Sequence, residues 1–184
     1  MRTFLSCISI IFTLSFLFLS PAFGIENVLL EVHRVNNYLT INSEIIPSED
    51  FMEDFKSGLS KNILVTIELF KKWSIIPDEF IKGVQIQRNL LSDPIKGEFT
   101  VKSQEGSILF EKRFKNADDA IEWALKLNSV KIGDVNQFEK GRYYIKVTVE
   151  SNIKKLPSVL EHILFFIPKY EKRISKESET FRLP

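Results

Sequence analysis

The sequence predicts an α+β domain, mainly antiparallel β: a sheet of seven or eight strands, or a sandwich-like pair of sheets, with two or three short helices. Three observations predict it. Between Asn62 and Phe114, four short runs alternate apolar with polar residues and are separated by turn-forming residues, the pattern of antiparallel strands sharing a buried face. Tyr143, Ile145, Val147 and Val149 repeat that alternation against Tyr144, Lys146, Thr148 and Glu150. Helical spacing is confined to short stretches, the clearest being Ala117, Ala120, Ile121, Ala124 and Leu125.

Asn27 to Arg34 reads as the first strand, with Val28, Leu30 and Val32 on one face and His33 on the other. Asn36-Asn37 tolerates positive φ, so a tight turn leads into a second strand, Tyr38 to Ile46. Pro47 ends that strand and Ser48 is placed to cap a short helix. Phe51, Phe55 and Leu59 recur every four residues along it, with Gly58 near its end. Ile63, Val65, Ile67 and Leu69 form the next strand face. Trp73 to Asp78 is a break, after which Val84, Ile86 and Leu90 share a face. Asp93-Pro94 turns the chain into Phe99 and Val101, and Glu105-Gly106 turns it into Ile108 and Phe110. Asn116 caps the clearest helix, whose first turn carries Asp118 and Asp119 where the helix dipole favours negative charge. A loop with Gly133 and Gly141 leads to the Tyr143–Val149 strand. Leu156-Pro157 then opens a helix lined by Leu156, Val159, Leu160, Ile163, Leu164 and Ile167, up to Pro168. The last sixteen residues are highly charged and read as irregular, apart from a short edge strand over Thr180 to Leu183.

The first 24 residues have the form of an export signal. Met1-Arg2-Thr3 is a short positive start, Phe4 to Leu19 is apolar apart from Ser, Thr and Cys, and Ala22-Phe23-Gly24 supplies small residues for a signal peptidase. Cleavage after Gly24 is predicted, leaving residues 25–184 as one domain outside the cytoplasm, in the periplasm. An uncleaved inner-membrane anchor is the alternative, because this stretch of sixteen residues approaches the roughly 17–25 that span a bilayer. Removing Arg2 from 25 basic residues leaves 24 against 24 acidic ones, a net charge of zero. No field of one sign remains to attract nucleic acid. The one cysteine, Cys7, lies in the leader, so residues 25–184 contain neither a disulfide nor a thiol nucleophile.

The chain resembles the uncharacterised bacterial exported proteins grouped as domain-of-unknown-function family 4390. The resemblance rests on the leader, Lys56-Ser57-Gly58-Leu59, and the strand Ile63 to Leu69 running into Trp73. It continues through the Val84 to Leu91 strand, the helix entry Phe114-Lys115-Asn116-Ala117, the Tyr143 to Val149 strand and Leu156-Pro157. It covers nearly all of residues 26–184 and implies export and this fold. It brings no activity and no catalytic residue. Where such proteins are rich in Trp and Tyr, this chain has Trp73-Ser74-Ile75-Ile76 and Thr180-Phe181-Arg182-Leu183.

No catalytic constellation is legible. The two histidines, His33 and His162, fall on polar faces, and no Gly-x-Ser-x-Gly elbow occurs. Two histidines without cysteine do not make a zinc site. The acidic pairs Glu49-Asp50, Glu53-Asp54, Asp78-Glu79 and Asp118-Asp119 are adjacent residues pointing different ways, and two pairs sit in first helical turns. The seven glycines are scattered singly, so no phosphate loop is present. Neither a cofactor nor a metal is predicted.

Two features point to interaction. Trp73, Ile75, Ile76 and Phe80 place apolar side chains in a connection, either as a binding surface or as the closure of one end of the fold. Phe165 and Phe166 widen the apolar surface of the 156–167 helix, which packs on the sheet or meets a membrane surface. The sequence therefore predicts a non-enzymatic, monomeric envelope domain that binds a protein or another envelope component, with addition of a strand at a sheet edge as a natural mode. The alternative is a membrane-surface module using the late helix or a retained anchor.

Overall fold

A computed structural model describes residues 24–151 and 172–184. The chain runs β1 (Ile25–Val35), β2 (Tyr38–Pro47), α1 (Glu49–Lys56), β3 (Lys61–Lys72), β4 (Glu79–Asp93), β5 (Glu98–Glu105) and β6 (Ile108–Phe114). It continues with α2 (Ala117–Leu125), β7 (Lys126–Asp134), a short 3-10 turn (Val135–Gln137), β8 (Gly141–Ser151), β9 (Lys172–Glu177) and β10 (Phe181–Leu183). The fold is α+β and mainly antiparallel β, as the alternation implies. Its strands form two sheets: three strands in the order β1-β2-β7, and seven in the order β10-β8-β3-β4-β5-β6, with β9 also paired to β8.

The two most regular sequence runs are central neighbours. Ile63, Val65, Ile67 and Leu69 of β3 lie opposite Ser151, Val149, Val147 and Ile145 of β8, and on the other side opposite Arg88, Ile86, Val84 and Lys82 of β4. All four β3 side chains are fully buried, and each contributes about 1.5–3 kcal/mol relative to exposure. One continuous core joins them to Val28, Leu39, Ile41 and Ile45 of the small sheet and to both helices. The predicted caps form. The Ser48 hydroxyl accepts from the amide of Phe51 at 3.2 Å, and the Asn116 side chain accepts from that of Asp118 at 2.9 Å. Asn36 has φ 55°, the positive value that the β1–β2 turn requires. Phe51 and Phe55 are buried, as are Ala117, Ala120, Ile121, Ala124 and Leu125 of α2.

The structure corrects the expected strand count from seven or eight to ten among the described residues. Gly133 lies in β7, not in a loop. The reason β7 escapes a period-two reading is that its register against β2 shifts twice, once on each side of Val130–Lys131. Leu127 and Ile132 are both buried although five residues apart, because Ser129, at φ 53°, is an extra residue whose amide donates to Asn42 Oδ1 at 2.8 Å. Lys172–Glu177 is a strand despite its charge, paired along β8 with one apolar side chain, Ile174, packed on the core. Leu59 lies beyond α1 and is exposed; Gly58, at φ 109°, has already ended the helix. Ile108 and Phe110 are exposed instead of buried. The leader, His162, the 156–167 helix and Phe165 and Phe166 lie outside the described residues.

Candidate functional site

β6 is the last strand of the large sheet, hydrogen-bonded on one side to β5 and bordered on the other by no described strand. Register fixes its faces. Phe110 lies opposite Ser103, Lys112 opposite Val101 and Phe114 opposite Phe99. Those three β5 residues are buried, so Ile108, Phe110, Lys112 and Phe114 share the core-side face, and Leu109, Glu111 and Arg113 the outer one. Ile108 is nevertheless 56%, Leu109 68% and Phe110 48% exposed. An apolar Ile-Leu-Phe segment thus stands open on both faces of an edge that no described strand pairs. Edges of this kind recruit further strands unless charge, proline or a covering element blunts them; here the charges begin only at Glu111.

Beneath this edge, between β6 and the junction of α2 with β7, is a cleft of about 560 Å³. Its cations are Arg88, Lys112 and Lys126, its aromatic walls Phe114 and Trp123, and its carboxylates Asp119 and Glu122. Lys112 Nζ lies 5.0 Å from the Phe114 ring centre and 5.5 Å from that of Trp123, and the Arg88 guanidinium is 5.0 Å from Trp123. Arg88 is buried because it serves a structural purpose. Its Nη1 donates to the carbonyls of Trp123 at 2.8 Å, Ala124 at 2.7 Å and Lys126 at 3.0 Å, and its Nε donates to Ser103 Oγ at 3.4 Å. These carbonyls are the ones a helix leaves unpaired at its C-terminus, where a cation also suits the dipole. Burial lowers the Arg88 pKa from its ordinary value, partly opposed by Glu105, yet a guanidinium stays charged.

Sequence reasoning missed Arg88. The signal was present, since Arg88 stands two residues from both Ile86 and Leu90 and so on their inward face. An arginine there implies buried acceptors.

Trp73, Ile75 and Ile76 lie in the β3–β4 connection and Phe80 at the start of β4, all exposed rather than closing an end of the fold, Ile75 by 97%. The hairpin is held by several contacts. The Trp73 amide donates to Asp78 Oδ1 at 3.0 Å, Arg142 donates to Ser74 Oγ at 2.9 Å, and Lys71 Nζ lies 4.6 Å from the Trp73 ring. Lys71 is itself buried and pairs with Glu139. That hydrogen bond raises the Lys71 pKa and lowers that of Glu139 from their ordinary values. On the outer face, Phe70 stacks on Tyr144 with ring centres 5.4 Å apart and meets Phe80 edge-on at 5.8 Å.

His33 lines a second cleft of about 500 Å³ between β1 and the β9–β10 segment, with Ser178 and Glu179. Its ring nitrogen meets Glu31 at 3.2 Å. The Ser178 hydroxyl is engaged elsewhere, donating to the Glu179 carbonyl and accepting from the Ile145 amide, each at 2.9 Å. Among the described residues the His33 ring bonds only Glu31, while the Thr40 hydroxyl donates to the His33 backbone carbonyl at 3.4 Å. Among the described residues no group of three or more His, Cys, Asp and Glu is placed to hold a metal ion, and no helix is long and apolar enough to cross a membrane.

A family model described as a domain of unknown function, DUF4390, matches residues 20–179. No curated protein and no solved structure matches the chain.

Proposed function

The chain belongs to the DUF4390 family, a domain of unknown function, and we propose that it is a non-enzymatic envelope domain that binds a protein partner by strand addition at β6. The observation that carries this reading is the unpaired β6 edge with Ile108, Leu109 and Phe110 exposed. Strand addition draws affinity from main-chain hydrogen bonds and selectivity from alternate side chains, and β6 offers both. Export through the leader, cleavage after Gly24 and a sandwich arrangement of the two sheets belong to the same reading. The domain is monomeric until its partner arrives. The test is site-specific photo-crosslinking in the full chain, in cells that export it. A photoreactive residue at Leu109 is expected to give one discrete protein adduct, abolished by Phe110→Lys. The same residue at Ile95, itself 97% exposed but in the β4–β5 turn, is the control. Equal labelling from both positions would refute the proposal.

A second reading is favoured by one observation. The exposed Trp73-Ile75-Ile76 tip adjoins the exposed cation Lys72, and Arg142, also exposed, bonds its Ser74, a composition suited to a membrane surface. Flotation of the full chain with anionic vesicles, compared with a Trp73→Ser, Ile76→Ser variant, tests it; equal flotation ends it.

A further inference from the structure

We infer that the strand received by β6 is acidic, laying a carboxylate side chain against Lys112 at the mouth of the Arg88–Trp123 cleft. This inference rests on the strand-addition reading and names the chemistry of the partner. The geometry is that of a sheet. A residue added opposite Lys112 on the core-side face stands about 4.5–5.5 Å away between Cβ atoms, and its neighbour two positions along faces Phe110. Lys112 makes no ion pair with a described residue, and neither does Lys126; Lys112 instead rests over the Phe114 and Trp123 rings. A carboxylate opposite it gains a charge-assisted contact beside two aromatic faces and the Arg88 cation. Asp119 and Glu122 line the same cleft, so the net advantage to an anion is one charge, but both belong to α2. The cation that β6 itself presents is the one an added strand meets. An apolar residue facing Phe110 completes the pattern, so the partner strand alternates acidic with apolar side chains or carries an acid two residues from an apolar one.

The experiment titrates the full chain with three short peptides, acetylated and amidated, alternating valine with glutamate, with glutamine or with lysine. Binding is read by calorimetry and by the shifts of β6 backbone amides. The glutamate peptide is expected to bind about tenfold more tightly than the lysine peptide, with glutamine between, since opposite-charge cross-strand pairs are favourable and like charges opposed. Lys112→Met is expected to remove the glutamate preference, so that the glutamate, glutamine and lysine peptides bind within about threefold of one another. Equal binding of all three peptides would overturn the acidic inference and leave strand addition standing. No binding by any of them, with β6 amides unmoved, would overturn both. So would a sedimenting dimer that Leu109→Lys dissolves and no peptide displaces, because the edge would then belong to a second copy of the chain.

Discussion

Replacing Arg88 by methionine tests how the structure closes its second helix. Methionine keeps an unbranched stem in the buried site and removes every donor. Four acceptors then lose their partner: the carbonyls of Trp123, Ala124 and Lys126, and Ser103 Oγ. An orphaned buried acceptor costs about 1–3 kcal/mol. The Ala124 carbonyl, bonded at 2.7 Å within the buried turn, takes the larger share, about 2 kcal/mol. The Trp123 and Lys126 carbonyls are half-buried and recover water, so they and the serine together lose about 1–2 kcal/mol. Freedom from desolvating a guanidinium offsets about 1 kcal/mol, less than in buried ion pairs because no carboxylate is relieved with it. The net loss is about 2–3 kcal/mol, which for a domain of this size lowers Tm by roughly 4–12 °C. Urea unfolding followed by circular dichroism measures it. Lys112→Met, at an exposed position in the same cleft, is the reference and is expected to stay within about 0.5 kcal/mol of the parent. Arg88→Met losing under about 1 kcal/mol, or no more than Lys112→Met, would refute the reasoning.

Three further outcomes are expected. Ser48→Ala removes the cap acceptor of the Phe51 amide, 3.2 Å away; the urea midpoint should fall by the equivalent of about 1 kcal/mol. Phe55→Ala empties a buried site against Phe99, whose ring centre is 5.6 Å away, and should cost about 3–5 kcal/mol in the same assay. Glu139 has a pKa lowered chiefly by its hydrogen bond from Lys71, so its contribution is present above the unfolded carboxylate pKa and lost as pH falls through the folded value. Lys71, raised by the same bond, contributes below its unfolded pKa and loses that as pH rises through the raised one. Glu139→Gln should therefore flatten the decline of the urea midpoint on acidification and on strong alkalisation. Unchanged slopes would contradict this.

The elements that declare themselves in the sequence are those whose neighbours repeat regularly. Ile63–Leu69 and Tyr143–Val149 are central strands with one face buried, and the alternation registers that directly. α2 combines helical spacing with an Asn cap, and both are local signals. β7 fails to declare itself because its register shifts, one of them at Ser129, put Ile132 out of phase with Leu127. β9 fails because its pairing with β8, rather than its own side chains, makes it a strand. The site was harder to read. The sequence marks 108–114 as strand-forming, but which strand is left at an edge depends on the order in which the sheet assembles. Ile108 and Phe110 look like core residues until the sheet order leaves them with no described strand beyond β6. The Trp73–Phe80 connection was legible as apolar, but its exposure was not.

The most direct test of the account is residue-by-residue amide hydrogen exchange along Ile108–Phe114 in the free protein. A free edge predicts alternation: amides bonded to β5 protected, the intervening ones exchanging at close to unstructured rates. Uniform protection through the segment would contradict it, since the edge would already be covered and no partner strand could add there.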